Sequence, residues 1–251
     1  MNVIAVPFHL DEPLPAFDPP LAPGRTVAPA LPAGSPWQRM AALYAEVADA
    51  VAADVTAGRV PVVVSGDCTT SLGVVTGLQR AGVAPSVVWF DAHGDVQTPE
   101  TSASGYLGGV PLRQLVGGAE RSAPDHLGLR PLAESDVVLV DARDLDPPEA
   151  DYLATSAIRR CGVDEVAAAL PDGPLYLHVD VDVVDPQDLP GLLFPAPGGP
   201  PLAGVAAAVR SVLATGSVVA VGLACTWQPG SGAAGILARL AAELTAAPDA
   251  P

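Results

Sequence analysis

The chain contains no lysine: its twelve basic residues are all arginines, scattered over 251 positions. Because 28 acidic residues oppose them, the formal net charge is -16. Binding to nucleic acid depends on clustered lysine and arginine side chains that neutralise phosphates, and attraction to an anionic membrane surface has the same requirement. The charge pattern therefore argues against both kinds of partner.

Cysteine and long apolar runs are also scarce. Cys68, Cys161 and Cys225 are odd in number and widely spaced, unlike the cysteines of a disulfide framework. No window holds the roughly eighteen uninterrupted apolar residues of a membrane span. The first residues lack the basic region and the long apolar run of a signal peptide. We therefore expect a cytoplasmic protein.

The length is sufficient for one large domain, and no internal repeat divides the chain, so we expect a single domain over residues 1–251. Short runs rich in β-branched residues predict buried strands at 2–9, 60–68, 86–95, 136–146, 175–186 and 218–228. Stretches with helical spacing alternate with them, at 37–58, 71–82, 201–216 and 232–247. This alternation predicts an α/β fold with a doubly wound, mostly parallel sheet.

Carboxylates gather where four of these strands are expected to end. In an open parallel sheet the ligand crevice lies beyond the carboxyl ends of the strands. The polar residues placed there are Asp67, Cys68, Asp91, His93, Asp95, Asp144, Asp146, Asp180 and Asp182. So many carboxylates would repel one another unless cations hold them, so the pattern favours a metal site over a solvated acidic rim. The proline-rich segments 11–36 and 185–201 are expected to form loops beside this face.

Four segments, in order, resemble motifs of the ureohydrolase family of arginases and agmatinases. "DAHGD" (91–95) matches Asp-Ala-His-x-Asp, and "HVDVDVVDPQDLPG" (178–191) looks like the signature Asp-x-Asp-x-x-x-Pro-x-x-x-Pro-Gly. "SGDCTTSLG" (65–73) lies where the family has Gly-Gly-Asp-His-Ser, and "ARDLDPPE" (142–149) is similar to Arg-Asp-Val-Asp-Pro-Gly-Glu. The resemblance implies a three-layer α/β/α fold with a mostly parallel central sheet.

The same resemblance implies two Mn²⁺ ions at the strand ends. Asp91 and Asp180 would bridge the ions, Cys68 and Asp95 would complete one site, and His93 and Asp182 the other. A metal pair lowers the pKa of a shared water, so that hydroxide can attack the carbon of a guanidinium or amidine at neutral pH. Asp95 and Asp182 are therefore expected to serve catalysis as well as metal binding. The family also implies a small guanidino or amidino substrate and a homo-oligomer.

The segment "QTPETSASGYLGG" (97–109) resembles the arginase loop that holds the substrate's α-carboxylate. The substrate-binding residues implied are Gln97, Ser102, Ser104 and Tyr106, with Asp146 near the α-amino group. Hydroxyl and amide groups can orient a carboxylate without burying a full charge. The alternative is an ordinary loop of small polar residues.

Three positions depart from the family pattern. Cys68 replaces a metal-binding histidine, and is either a soft ligand, weakening the first Mn²⁺ site or favouring Zn²⁺, or a bystander. Gly108 replaces a histidine that serves proton transfer, and Thr226 stands where a glutamate binds the guanidinium. A substrate bearing an N-hydroxy group, such as N-hydroxyarginine, would need a general acid less. The alternative is a catalytically impaired arginase-fold protein that acts as a binding or assembly subunit.

Three histidines lie outside the matched motifs. His178 stands where the family usually has serine, and we interpret it as a hydrogen-bonded strand residue rather than an altered ligand. His9 and His126 have no partner nearby in sequence, so neither is assigned a functional role.

Overall fold

The computed structural model describes residues 1–228 and 230–245, without the side chains of 239, 240 and 242–245. Its strands are β1 (Asn2–Val6), β2 (Phe8–His9), β3 (Glu12–Pro13), β4 (Arg25–Thr26), β5 (Pro61–Ser65), β6 (Ser86–Asp91), β7 (Val137–Asp141), β8 (Arg159–Cys161), β9 (Leu175–Asp180) and β10 (Val218–Ala224). Within the described residues, eight of them form one sheet in the order β4-β1-β5-β10-β9-β6-β7-β8. All its pairs are parallel.

The predicted first strand, 2–9, is broken near Pro7. Proline has no N–H to give to a sheet, and β1 ends at Val6. The next residues form β2, which pairs antiparallel with β3 in a separate small hairpin.

The helices are α1 (Pro36–Thr56), α2 (Ser71–Arg80), α3 (Pro111–Leu115), α4 (Ser122–Leu127), α5 (Pro147–Thr155), α6 (Val166–Ala169), α7 (Leu202–Leu213) and α8 (Ala233–Thr245). The four helices predicted from spacing correspond to α1, α2, α7 and α8, and residues 246 and 247 of the last prediction lie outside the described residues. A capping box at Ser35 and Gln38 begins α1, with Pro36 in its first turn. None of the described helices is long and apolar enough to cross a membrane.

The sheet lies between two helical layers because alternate strand residues point to opposite faces. Trp89 and Leu139 pack on one face with residues of α1 and α2. Val88 and Val138 pack on the other with residues of α6, α7 and α8. The predicted three-layer α/β/α architecture is therefore confirmed.

Helices α1 and α2 pack closely because α2 has glycines on the facing side. A Cβ atom at Gly77 would lie 2.6 Å from the carbonyl oxygen of Ala48, and one at Gly73 would lie 2.9 Å from that of Tyr44. This approach brings the buried hydroxyl of Tyr44 into hydrogen-bonding contact with Thr69, in the turn that follows β5. The outer helix thus supports the loop at the carboxyl end of a central strand.

Candidate active site and metal centre

The predicted metal ligands come together at the carboxyl ends of β5, β6 and β9. Cys68 opens a 3₁₀ turn after β5, Asp91 is the last residue of β6 and Asp180 is the last of β9. Asp182 follows in another 3₁₀ turn, which forms because the Asp180 carboxylate accepts the Asp182 N–H at 2.9 Å. Parallel strands of one sheet therefore deliver these side chains to the same edge of the sheet.

Asp95 reaches the same place through an unusual backbone conformation. Its φ angle is +53°, in the left-handed region that few non-glycine residues occupy. The Asp95 carbonyl accepts the Arg113 N–H at 3.1 Å, which ties the turn to the start of α3. Backbone strain of this kind is retained where the surrounding structure requires it, commonly at functional sites.

Two triads of ligand-type side chains share Asp91. One ligand atom each from Cys68, Asp91 and Asp95 lies within 4.8 Å of the others, and the same holds for Asp91, His93 and Asp182. We call Cys68, Asp95 and Asp180 the deep half of the cluster, because all three side chains are buried. We call His93 and Asp182 the outer half, because His93 is partly exposed.

The deep half concentrates acidic groups away from water. Burial, together with the charges of neighbouring carboxylates, raises the pKa of Asp95 and of Asp180 well above the ordinary 3.8. Burial and the charge of Asp180 likewise raise the pKa of Cys68. The Cys68 thiol donates to Asp180 Oδ2 at 2.8 Å. In the described part of the chain, buried Asp95 Oδ2 has no hydrogen-bond partner.

The outer half contains its own counter-charge. His93 Nδ1 lies 3.2 Å from Asp182 Oδ2 and 3.4 Å from Asp91 Oδ1. Burial alone would lower the pKa of His93, but its hydrogen bonds to Asp182 and Asp91 raise it to about 12. Burial would raise the pKa of Asp91, yet bonds from His93 hold it below 3.8. The pKa of Asp182 is raised to about 6 by burial and by the charge of Asp91.

The residues present fit two divalent cations. Carboxylates and an imidazole are ligands that Mn²⁺ accepts, and thiolate is a softer ligand suited to Zn²⁺. The orphaned Asp95 oxygen is the strongest sign, because a buried polar atom without a partner is costly unless an ion or water completes it. Asp180, predicted as a second bridge, contacts Cys68 on one side and the N–H of Asp182 on the other.

A cavity of about 140 Å³ joins the cluster to the predicted substrate loop. Its lining includes every predicted ligand except Asp91, and all five predicted substrate-binding residues: Gln97, Ser102, Ser104, Tyr106 and Asp146. The structure thus places the predicted metal ligands and the predicted substrate-binding residues at one cavity. Their roles in binding metal and substrate stay predictions.

The family model described as Arginase family matches residues 18–247. The chain belongs to the arginase family. The resemblance drawn from the motifs is thereby confirmed, and the three departures can be described against that family.

Curated arginases align with more than half of this chain. The chain is 34% identical over 190 residues to the arginase of Eremothecium gossypii, covering 69% of this chain and 48% of that protein. It is also 34% identical over 170 residues to the arginase of Bacillus caldovelox, covering 61% and 56%. The matched part thus spans about half the length of these curated relatives.

Solved structures of arginases share the fold along nearly the whole chain. The crystal structure of arginase from Bacillus cereus matches with a TM-score of 0.83 at 23% identity, over 98% of each chain. Formimidoylglutamase from Bacillus subtilis matches with a TM-score of 0.69 at 14% identity, over 97% of this chain and 85% of that chain. At these identities the likeness concerns the arginase fold alone.

The first departure from the arginase pattern, Cys68, is coupled to the unusual His178. His178 Nε2 lies 3.2 Å from Cys68 Sγ, and its Nδ1 lies 3.0 Å from the Ser71 hydroxyl. Its ring stacks on Trp89 with centroids 3.7 Å apart. Burial lowers the pKa of His178 to about 3, so the ring is neutral. The hydroxyls of Ser71 and Tyr176, 3.0 and 3.1 Å from Nδ1, can donate to it, and the remaining hydrogen then lies on Nε2 and points at the sulfur.

The second departure, Thr226, makes a bond that helps to orient a predicted ligand, Asp180. Its hydroxyl donates to Asp180 Oδ1 at 3.3 Å. Glu149, another carboxylate at this cavity, is buried and lines it. Its carboxylate accepts the N–H groups of Val96 and Asp146 at 3.2 Å each. Glu100, by contrast, is exposed.

The third departure, Gly108, is filled by a neighbouring ring. A Cβ atom at Gly108 would overlap the Tyr106 side chain. The Tyr106 hydroxyl lies 3.0 Å from His9 Nε2, and both rings pack beside Phe194. Sequence reasoning missed His9 and Phe194 because Tyr106 is 97 residues away from His9. The only sequence signal was a histidine next to a predicted strand end.

Arg143 fastens segment 185–201 to the site. Its guanidinium donates to the carbonyls of Asp182 at 3.1 Å, Val183 at 3.0 Å and Ala196 at 2.6 Å. It also pairs with Asp141 at the end of β7. The segment was predicted as a loop and carries no helix or strand, yet it is held by specific bonds.

Proposed function

We propose that the protein is a metal-dependent hydrolase that cleaves a C–N bond in a linear guanidine or amidine of an amino-acid-like substrate. The observation that carries this proposal is the pair of ligand triads sharing Asp91 beside a cavity lined by hydroxyl and amide groups. Its curated relatives at 34% identity are arginases, which supports the same class of reaction.

Two divalent cations are proposed, with Asp91 common to both. Asp91, His93 and Asp182 offer a Mn²⁺ site of oxygen and nitrogen ligands. The deep half adds a sulfur, so it either binds Mn²⁺ more weakly or takes Zn²⁺. His178 orients that sulfur through its Nε2–H and thereby acts as a positioning residue.

The chain's own residues hold the ligands in place before a substrate arrives. Asp182 accepts the Ala92 N–H at 3.3 Å through one oxygen and faces His93 through the other. Thr226 fixes one oxygen of Asp180. When bound, the cations would lower the pKa of a nearby water enough to supply a nucleophile near neutral pH. Such preorganised groups need no rearrangement as charge develops in the transition state.

The cavity suits a substrate with an amino-acid end. Ser102 and Ser104 each accept a backbone N–H through their hydroxyl oxygens, at 3.1 Å in both cases. Their O–H groups can then donate to a carboxylate of the substrate. Gln97 donates to Asp146 at 2.9 Å, which holds this carboxylate beside the cavity for an α-amino group.

An N-hydroxyguanidine is the substrate class that fits the departures best. The hydroxyl withdraws electrons and makes the group much less basic than a guanidine. A less basic group loses less when Thr226 replaces a charged partner, because hydrogen bonds to ionised groups are roughly twice as strong as neutral ones. The leaving nitrogen is the same as in arginine, so the proton that position 108 no longer supplies is still needed.

The test is turnover of arginine, N-hydroxyarginine and agmatine by the Mn²⁺-loaded and Zn²⁺-loaded protein. We expect N-hydroxyarginine to be hydrolysed fastest, and Asp91→Asn to abolish its turnover. Asp151→Asn, on the exposed side of α5, is the matched control and should behave as wild type. Full turnover by Asp91→Asn would contradict the mechanism.

The second candidate is a non-catalytic binding or assembly subunit. It is favoured by the position of all three departures, since residues 68, 108 and 226 line the same cavity. One bound cation per chain without hydrolysis of any guanidine or amidine would support it. The expected homo-oligomer is a separate proposal, which sedimentation analysis of the holoprotein would test.

A further inference from the structure

Tyr106 and His9, joined by a hydrogen bond, line two different cavities. Tyr106 lines the cavity that contains the deep half, and its partner His9 lines a second, mostly apolar cavity of about 200 Å³. Gly108 leaves room for the Tyr106 ring. Burial, then the charges of Asp67 and Cys68, raise the pKa of Tyr106 far above the ordinary 10.0, so the hydroxyl is protonated.

His9 is held so that one particular nitrogen faces Tyr106. His9 Nδ1 lies 3.0 Å from the carbonyl oxygen of Gly66, and a carbonyl only accepts. Nδ1 therefore carries a hydrogen, and Nε2 is the nitrogen directed at the Tyr106 hydroxyl, 3.0 Å away. This assignment follows from the bonds alone.

The hairpin that carries His9 is fixed on both sides of the ring. Gly66 donates its N–H to the Phe8 carbonyl at 3.0 Å, and the Leu10 N–H donates to Asp67 Oδ2 at 2.6 Å. These contacts lie in the turn that leads into Cys68. The position of His9 is therefore fixed relative to the turn that carries Cys68 of the deep half.

We infer that Tyr106 protonates the leaving nitrogen of the substrate and that His9 replaces the proton. This inference rests on the proposed hydrolase function and assigns a donor that the family position 108 no longer supplies. Tyr106 would be the catalytic residue because it lines the substrate cavity, and His9 acts through it by the bond to its hydroxyl.

The proton balance is complete without a further reactant. In hydrolysis the water releases one proton to solvent as it ionises, and its oxygen bonds to carbon. The C–N bond then breaks, the nitrogen leaves with the bonding electron pair and takes up one proton, and the second water proton is released as the carbonyl of the product forms. Tyr106 Oη gives the nitrogen its proton and takes one from Nε2 of the His9 imidazolium. His9 is left neutral, with its hydrogen on Nδ1 bound to Gly66. Solvent in the second cavity then returns a proton to Nε2.

The experiment compares Tyr106→Phe and His9→Gln in the metal-loaded, full-length protein. The probes are arginine or N-hydroxyarginine, whichever is turned over, and canavanine, whose leaving group is a weakly basic alkoxyamine. We expect Tyr106→Phe to lower kcat for the first probe by about 10²- to 10⁴-fold and for canavanine by much less, with little change in KM. His9→Gln can keep a hydrogen bond but cannot carry the proton, so it should show the same pattern.

Controls separate proton transfer from folding and from binding. Metal content and melting temperature should match wild type in both variants, and Tyr152→Phe and His126→Gln, outside both cavities, should leave kcat unchanged. Added imidazole should restore part of the lost kcat in His9→Ala. The double variant should lose no more than Tyr106→Phe alone, because groups that act as a unit are not additive.

Two results would overturn the inference in distinguishable ways. If wild type with both cations bound turns over none of the probes, the proposed function fails and the proton relay fails with it. If wild type is active and Tyr106→Phe raises KM while kcat is retained, or loses equal activity on both probes, only the relay is wrong.

Discussion

The deep and outer halves of the ligand cluster share Asp91 but accommodate buried negative charge differently. In the outer half, His93 lies between Asp91 and Asp182 and supplies a positive charge. In the deep half, Cys68 shares its hydrogen with Asp180, while Asp95 keeps an oxygen without a partner among the described residues. The outer half is partly neutralised by the protein itself, and the deep half requires protons or a cation.

The largest expected effect comes from separating the two halves. Asp95→Asn removes an anionic ligand from the deep half alone. It should lower the affinity of the deep half for its cation by more than about 100-fold, which is the upper range for mutation of a residue that only supports a ligand. His93→Ala should do the same to the outer half. Elemental analysis after equilibration with Mn²⁺ should find one remaining cation per chain in each variant. Loss of both cations in either one would mean that the halves are not separable.

The next effect concerns the sulfur of the deep half. If Cys68 is a ligand, the Co²⁺-loaded protein should have an intense thiolate charge-transfer band in the near ultraviolet, which Cys68→Ser should abolish. Affinity for Zn²⁺ should also fall by at least about tenfold. Cys225→Ser is the matched control, because Cys225 is buried without belonging to a triad. An unchanged band in Cys68→Ser would make Cys68 a bystander.

The stability of the metal-free protein should depend on pH, because both halves of the cluster contain groups whose pKa is raised on folding. The pKa of Asp182 rises from 3.8 to about 6 on folding, and that of His93 from 6.5 to about 12. In each of these two pH ranges the group binds its proton in the folded chain but has lost it in the unfolded one. The free energy of unfolding therefore falls as pH rises above 4, because of Asp182, and falls further above 6.5, because of His93. Asp95 and Asp180 shift in the same direction.

Thermal unfolding in the presence of a chelator, at several pH values from 5 to 8, would measure this decline. Mn²⁺ should cancel most of it, because a cation that binds only the folded state stabilises it by mass action. A melting temperature that rises with pH in the chelated protein would show that the cluster does not govern its stability.

The smallest effect is expected from the support beneath the deep half. Tyr44→Phe removes the hydroxyl that contacts Thr69, in the turn carrying Cys68. Loss of one buried hydrogen bond should lower the free energy of unfolding by about 1 kcal/mol, as measured by urea titration. The affinity of the deep half for its cation should weaken while that of the outer half is retained. Equal weakening of both would remove the distinction between the halves.

The ligand cluster could be predicted from sequence because its residues follow buried strands that pair in one parallel sheet. Asp91 and Asp180 end their strands, where a buried run rich in β-branched residues gives way to polar residues. The break at Pro7 was missed because the apolar run continues through it. A proline within a strand pattern is a sign of such a break.

The partners of His9, His178 and Thr226 could not be predicted, because each bond joins distant parts of the chain. His178 meets Cys68 across 110 positions, and Thr226 meets Asp180 across 46. Which side chains face each other there depends on strand order and on the placement of a two-residue hairpin. Neither property is encoded in local spacing.

Hydrogen bonds near both ends of segment 185–201 hold it to the rest of the chain, and this affects how a new substrate specificity can arise. Its two ends are drawn together where Asp185 accepts the N–H groups of Gly198 and Gly199, each at 3.0 Å, and Arg143 binds carbonyls on both sides. A loop closed at one neck can change its side chains between its ends while the neck is kept, together with the backbone bonds that join Gly191 to Gln228 and Leu193 to Thr226. Selection can therefore remodel Leu193 and Phe194 at the cavity mouth without disturbing the sheet beneath.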